Sequence, residues 1–522
     1  MRRIEAAQII KNVGSSWFSL GINIVVGILL SPFILHRLGD TAFGIWVLIF
    51  SITGYYGLFD LGVRSSIIRY VSRFTAMHDT EATAKLINTS LFAYSCIGVL
   101  SFLITIVGAL HFDSLFHVSP ELQSSTRWLF LIVGTSVSLG FPLGIPGGIL
   151  QGLQRFYILN WTNVATALLR AALVVFFLDR GYGLLTVGMI TVILPLLASV
   201  VRGVIVLHLL PVPFGWRYIN RETFREIANY SGITLIVILA SQLRFQTDEI
   251  IIGTFLSAAA ITYFNIGARI VDYAIQTVLS LAQIFAPMSS ESDAVGDQDR
   301  LRKIFLAGNR FCAFIMFPIC AILIILGKSV IEVWVGAKYV SQSYPVLLVI
   351  LIPSTLFFAQ ASSGRILFGV GKHRTWAIVS VIEGFSNLIL SILLVRPYGI
   401  VGDAWGTAIP LTCSAVLFFP AHLCRLLGVR MKTFLREAFE LPLLLCVPLV
   451  AALLGIKRIF IAHNYWQLGI QLAVGGAVYS LGLLWAFKTN RALRVRSLFP
   501  GEPAFAQAAA EAVPVQSFPG DE

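Results

Sequence analysis

Stretches of about twenty apolar residues recur along nearly the whole chain, and nothing else constrains its fold as strongly. Inside a bilayer no water is available to the backbone, so each run must satisfy its own N–H and C=O groups, and a helix does this within one segment. Twenty residues at ~1.5 Å rise span a hydrocarbon core of ~30 Å. Spans are expected at 13–36, 43–63, 86–110, 128–152, 157–178, 184–207, 229–253, 258–288, 304–327, 344–370, 375–395, 399–423, 440–456 and 466–487, fourteen in all. The composition agrees: 57% of the 522 residues are hydrophobic and 12% charged, whereas soluble domains carry about 25% charge. The fold class is an all-α polytopic membrane protein. The basic start before the first run lacks a small-residue cleavage pattern, so that run reads as a first helix and not a removed leader.

Lys and Arg orient the chain. With the N-terminus in the cytoplasm, twenty-five of the 38 basic residues fall on inside segments, eight on outside segments (Arg37 and Lys338 among them) and five within spans. Positive residues accumulate on the cytoplasmic side, so both termini are expected there. The net charge of +12 is thus mostly topogenic and gives no case for nucleic acid. The six cysteines lie in or at the ends of spans without a C-x-x-C pair, which leaves disulfide and zinc readings unsupported and small buried hydrophobes as the expected role.

The chain also repeats itself. Gly147-Gly148-Ile149-Leu150-Gln151-Gly152 matches Gly364-Arg365-Ile366-Leu367-Phe368-Gly369, and each is followed at the same offset by a basic residue, Arg155 and Lys372. Tyr182-Gly183-Leu184 matches Tyr398-Gly399-Ile400, and RLGDTAFGIW at 37–46 resembles FLSAAAITYF at 255–264. Three matches in one order at nearly one spacing indicate duplication. The offset covers six helices, an even number, so the halves cross the membrane in the same direction, as parallel repeats do. The expected division is two six-helix lobes, 1–210 and 211–425, two added helices at 426–488, and a tail at 489–522 that has no apolar period and reads as a disordered cytoplasmic segment.

Charges inside spans mark the candidate site. The stretch 241–276 reads as two helices joined by a turn near Ser257, yet carries Arg244, Asp248, Glu249, Arg269 and Asp272. A charge at the bilayer centre costs at least ~2.5–3.5 kcal/mol, so it faces a partner or a wet cavity. Arg244 and Arg269 each lie about a dozen residues from the turn, ~18 Å deep at helical rise. Two readings stand side by side: a cationic site at the midplane, or pairs neutralised along one helix face, Arg244 with Asp248 and Arg269 with Asp272. Arg170 in the fifth span and Arg365 in the tenth are further candidates, with an ion pair to Glu383 or Asp272 as the plain role for Arg170. Buried carboxyls can hold a proton or ligate Na⁺, which makes Asp248, Glu249, Asp272 and Glu383 candidates for ion coupling. Asp60 and Arg64, spaced i,i+4 at the inner end of the second span, are candidates for a gate ion pair. Asp297-Gln298-Asp299 has a D-x-D pattern but no nucleotide-binding surroundings, and reads as an acidic helix start.

The segments LLSPFILHRLGDTAFGIW and GYYGLFDLGVRSSIIRYVS, together with TDEIIIGTFLSAAAITYFNIGARI, resemble the polysaccharide-export flippases, Wzx-type translocases of the multidrug/oligosaccharidyl-lipid/polysaccharide exporter superfamily. The likeness runs from about residue 10 to about residue 425. It implies two lobes in a V, alternating access, no covalent chemistry and no cofactor beyond a coupling ion, H⁺ or Na⁺. The implied cargo is an oligosaccharide on a polyprenyl pyrophosphate, moved outward across a bacterial inner membrane for lipopolysaccharide or exopolysaccharide synthesis, beside membrane lipid and polymerase or assembly partners. On that reading Arg244, Arg269 and Arg170 greet the pyrophosphate, which guanidinium binds in a bidentate manner. Alternatives in the superfamily are a cation-coupled multidrug or metabolite antiporter and a lipid II flippase. A membrane glycan polymerase or ligase is the alternative from another class, expected to carry a large external catalytic loop that this chain lacks.

Overall fold

The computed structural model describes residues 6–116, 120–225, 239, 242–243, 246–372 and 374–489. Among these residues there are helices and turns and no strand. In chain order the helices are α1 (Ala6–Leu38), α2 (Asp40–Gly54), α3 (Val63–Ala76), α4 (Thr80–Leu115), α5 (Pro120–Gly152), α6 (Phe156–Asp179), α7 (Leu184–Leu209), α8 (Thr247–Phe255), α9 (Ala258–Ala282), α10 (Phe285–Ala294), α11 (Gln298–Val335), α12 (Val340–Phe358), α13 (Ala361–Gly369), α14 (Arg374–Cys413), α15 (Phe419–Leu427), α16 (Met431–Leu435), α17 (Leu441–Ile459) and α18 (Tyr465–Lys488).

Twelve helical stretches among the described residues are long and apolar enough to cross a membrane. The longest, Arg374–Leu427, has 54 residues, far beyond the ~20 one crossing needs. It is broken at Gly399, whose φ of 61° and ψ of −145° are not helical and suit a residue without a Cβ. The eleventh and twelfth expected spans meet at that break. The expected span 229–253 lies largely outside the described residues, with α8 as its described end. The tail beyond 489 lies outside them as well. The joining of two expected spans in Arg374–Leu427 and the undescribed span 229–253 account for the difference between fourteen and twelve.

The repeat is written into the turns. After Gly152, the N–H of Arg155 bonds Leu150 O at 2.8 Å, and Gln154 takes a φ of 57°. After Gly369, the N–H of Lys372 bonds Leu367 O at 2.9 Å, and Gly371 takes a φ of 70°. Both are left-handed helix ends that satisfy otherwise orphaned carbonyls. One half uses glycine there and the other a glutamine.

By contacts the described residues form two compact units. The first draws on residues up to Tyr273, Ile331–Ile350 and Ala377–Leu411. Its apolar cluster includes Ile67, Val71, Leu86, Ile149, Leu150 and Leu159. In lipid, apolar contact alone does not drive helices together, and close backbone approach at small residues does. Gly134 shows this: a Cβ there would stand 2.3 Å from Thr105 Cγ2. The second unit draws on Ala274–Val330, Leu351–Trp376 and residues from Thr412 on. There Phe305 and Phe434 stack with centroids 4.9 Å apart. The two added helices, α17 and α18, pack through Leu445, Leu449, Leu453 and Tyr479 onto Phe314 and Leu326.

Asp297 Oδ1 accepts the N–H of Arg300 at 2.8 Å and Asp299 sits in the first turn of α11, so the D-x-D stretch is a helix cap. All six cysteines are unbonded. Cys312, Cys424 and Cys446 are buried as expected, but Cys96 and Cys413 are exposed, on helix faces that a membrane would cover.

Candidate functional site: a buried carboxyl cluster beside an arginine pair

Within the first unit, α8 opens on Thr247, Asp248 and Glu249, while α14 presents Glu383, Asn387 and Ser391 at spacings of four, one face of a helix. Beyond the Gly399 break the chain presents Asp403 and Thr407, again four apart. Gly406 lets the two arms of α14 close: a Cβ there would lie 2.1 Å from Ser391 Oγ and 2.6 Å from its backbone nitrogen.

The result is a polar chain in a dry place. Thr407 Oγ1 donates to Asp248 Oδ2 at 3.0 Å, and Asn387 Nδ2 donates to Thr407 Oγ1 at 3.2 Å. Ser391 Oγ lies 3.0 Å from Asn387 Oδ1 and 3.2 Å from the carbonyl of Asp403. Asp248 is 7% exposed and Asp403 0%. Asp248 Oδ1, Glu249 Oε2 and both carboxyl oxygens of Asp403 have no hydrogen-bond partner among the described residues. Asp248 and Glu249 both lie within electrostatic reach of Asp403. Isolated buried carboxylates are costly, so what this oxygen-rich set lacks is positive charge. Hard cations take carboxylate, hydroxyl, amide and carbonyl oxygens of this kind, and a proton meets the same need. Among the described residues no group of three or more His, Cys, Asp or Glu side chains is placed to hold a metal ion.

The arginines stand nearby in the same unit. Glu249 bonds Ser51 and Asn265 and feels the charge of Arg269. Arg269 reaches Asp272 Oδ2 at 3.6 Å, with the two side chains 43% and 41% exposed. Tyr273 lies within reach of Arg269, Asp272 and Arg170 at once. Arg170 is half-buried and its Nε has no hydrogen-bond partner among the described residues. The structure thus gathers Arg170, Arg269 and Asp272, and the i,i+3 pairing read from the sequence is present. Arg244 and its pairing with Asp248 lie outside the described residues. Arg365 is half-buried in α13, in the second unit.

The gate pair is corrected. Asp60 accepts the hydroxyl of Tyr94, while the Arg64 side chain is exposed, and no ion pair joins Asp60 to Arg64 among the described residues. The reason is local: Leu61 and Gly62 take φ of 48° and 74°, ending the short 3₁₀ turn Tyr55–Asp60, so helical i,i+4 spacing does not hold across them. Sequence reasoning missed Asp403, Asn387, Ser391, Thr407 and Tyr273. The available signal was the pair of four-residue polar spacings in apolar surroundings. Asp403, at the start of the expected span 399–423, gains its burial from the fold of α14 on itself.

Comparison with known proteins bears on the family and the fold. The family described as "Polysaccharide biosynthesis protein" matches residues 9–293. A putative O-antigen transporter of Shigella flexneri is 22% identical over 432 residues, covering 78% of this chain and 96% of the relative. Among solved structures, the lipid II flippase MurJ in an inward closed conformation superposes with a TM-score of 0.70 at 17% identity, over 92% of this chain and 99% of that one. An inward-facing multidrug resistance MATE transporter of the MOP superfamily gives 0.66 at 16% identity, over 80% of this chain and 95% of that one. These likenesses show a MATE/MurJ-like fold, and none of these similar proteins is an enzyme. The chain belongs to the polysaccharide biosynthesis protein family, and its described residues include twelve helical stretches long and apolar enough to cross a membrane.

Proposed function

We propose that the protein carries a lipid-linked oligosaccharide, held on a polyprenyl pyrophosphate, from the cytoplasmic to the outer leaflet of a bacterial inner membrane by alternating access. The observation that supports this most is the meeting of Arg170, Arg269 and Tyr273 in one unit, beside a carboxyl cluster in need of positive charge. Guanidinium groups suit phosphate oxygens, and at membrane depth they have few other reasons to be kept. Both termini lie in the cytoplasm on this reading, and Arg365 and Arg244 remain candidates for further head-group contacts.

The carboxyl cluster is the coupling site on the same reading. Asp248, Asp403, Asn387, Ser391 and Thr407 supply the oxygens for H⁺ or Na⁺, and Glu249 links that set electrostatically to Arg269. A membrane potential of 100 mV contributes ~2.3 kcal/mol per charge moved.

The deciding experiment is Arg269→Ala in a strain that depends on this protein for surface glycan. Surface glycan is expected to vanish while the protein accumulates normally, and retained export would sink the cationic-site reading. Dye efflux in a sensitised host separates out an antiporter, and rescue of peptidoglycan synthesis separates out a lipid II flippase.

A further inference from the structure

The end of the first unit that the Lys and Arg distribution puts outside is tied together by one carboxylate. Asp40, the first residue of α2, accepts the Tyr339 hydroxyl at 2.6 Å and Lys338 Nζ at 3.1 Å on Oδ1. Its Oδ2 takes the Tyr263 hydroxyl at 3.2 Å and Lys338 Nζ at 3.2 Å. Its backbone carbonyl accepts from Thr262 Oγ1 at 2.7 Å. Three distant pieces of chain meet here: the α1–α2 turn, the start of α9, and the turn Ala337–Tyr339 before α12. The Tyr263 and Tyr339 rings lie 5.4 Å apart, and Ser343 Oγ donates to Tyr263 O at 2.7 Å.

The place is also where the duplicated halves touch. Gly44 in RLGDTAFGIW and Thr262 in FLSAAAITYF hold matching positions of the repeat. A Cβ on Gly44 would lie 1.8 Å from the carbonyl oxygen of Ala258 and 3.1 Å from Thr262 Oγ1. So α2 and its repeat counterpart α9 cross in near backbone contact, with the Asp40 network as their outer clasp. The repeat is unequal at this point: one half has Asp40 and the other Ala258.

A permanent joint would be dry. This one is partly wet, with side-chain exposures of 20% for Asp40 and 60% for Lys338. Charge-assisted hydrogen bonds are strong when shielded, and half-exposed ones exchange readily with water. Such a contact can bias a two-state equilibrium and still be released. We propose that Asp40, Tyr263, Lys338 and Tyr339 form a releasable latch on the outer side, closed in this conformation, that parts before cargo leaves. The proposal rests on the reading of the chain as an alternating-access transporter with Lys338 outside.

The test is thiol labelling. All six native cysteines are replaced, Thr262→Cys reports from beneath the latch, and a membrane-impermeant maleimide is applied to intact cells. Slow labelling is expected with the latch intact. Asp40→Asn is expected to speed it about tenfold, the effect of losing one charge-assisted clasp on a two-state equilibrium, and to lower surface glycan export at normal protein levels. Unchanged labelling overturns the latch, and so does labelling only from the inner face of inverted vesicles. If Asp40→Asn fails to accumulate, the double variant Tyr263→Phe and Tyr339→Phe, which leaves the charges in place, decides the matter in the same assay. Labelling needs no cargo, so the latch can stand even if the glycan-lipid reading falls.

Discussion

Asp40 and Asp403 are the same side chain in opposite circumstances. Asp40 sits at a helix start with two tyrosine hydroxyls and an ammonium on its oxygens. Asp403 is fully buried, and neither carboxyl oxygen has a partner among the described residues. A carboxylate with three donors is fully partnered in this conformation and needs no added ion. A buried one with none is unfinished, and a protein keeps such a group where something arrives to complete it. The comparison teaches that, in this chain, a carboxyl that awaits an ion is marked by the partners it lacks, and one that clasps two helices by the partners it holds.

The contrast is most severely tested by closing the space around the unfinished group. Gly406→Ala would drive a methyl into Ser391, 2.1 Å from its Oγ and 2.6 Å from its backbone nitrogen. Overpacking costs typically ~1–3 kcal/mol, and more where backbone must move. Loss of surface glycan together with a lowered melting temperature in detergent is expected. A variant of normal stability and activity would show that the two arms of α14 need not close.

Next in size is Asp403→Asn, which keeps shape and removes the capacity for negative charge. A structural carboxylate lowers stability when neutralised. An unpartnered buried one does not, because isolated buried charge is itself unfavourable. The melting temperature is expected to hold or rise, while export loses its dependence on a proton or sodium gradient and falls at least about tenfold, ~1.4 kcal/mol of lost coupling. Export that still responds to the gradient would put the coupling elsewhere. The same exchange at Asp40 is expected to reverse the pattern, opening the outer end and leaving the gradient dependence intact.

What the sequence disclosed follows from range. Spans are local properties of the sequence, and twelve helical stretches among the described residues match them; the repeated motif is periodic, and the turn after Gly152 and that after Gly369 share one backbone geometry. The hairpin charges were visible because a charge in an apolar run is conspicuous. The Arg269–Asp272 pair was legible for the same reason, as its partners are three residues apart. Asp403 was not, because its burial depends on the break at Gly399 and on Gly406 admitting Ser391, a contact across a fold in the chain. The Asp60–Arg64 pair failed through the converse error. Helical spacing was assumed across Leu61 and Gly62, where the backbone turns left-handed.

The smallest expected effect is also the one that separates the two readings of Arg269. Asp272 lies 3.6 Å from it, with both side chains about two-fifths exposed. A pair so wet contributes at most ~0.5 kcal/mol to stability after screening, so Asp272→Asn is expected to leave the melting temperature unchanged. If the pair exists only to neutralise itself, export should be unchanged or slightly lower. If Arg269 instead awaits an anion, Asp272 competes with the pyrophosphate for the guanidinium, and its removal should tighten head-group binding about two- to threefold, the equivalent of ~0.5 kcal/mol. Inhibition of flipping by inorganic pyrophosphate in proteoliposomes measures this directly. The midpoint should move to lower pyrophosphate in Asp272→Asn and be abolished in Arg269→Ala. A midpoint that ignores both substitutions would make the pair a counter-ion contact and leave cargo recognition to other residues.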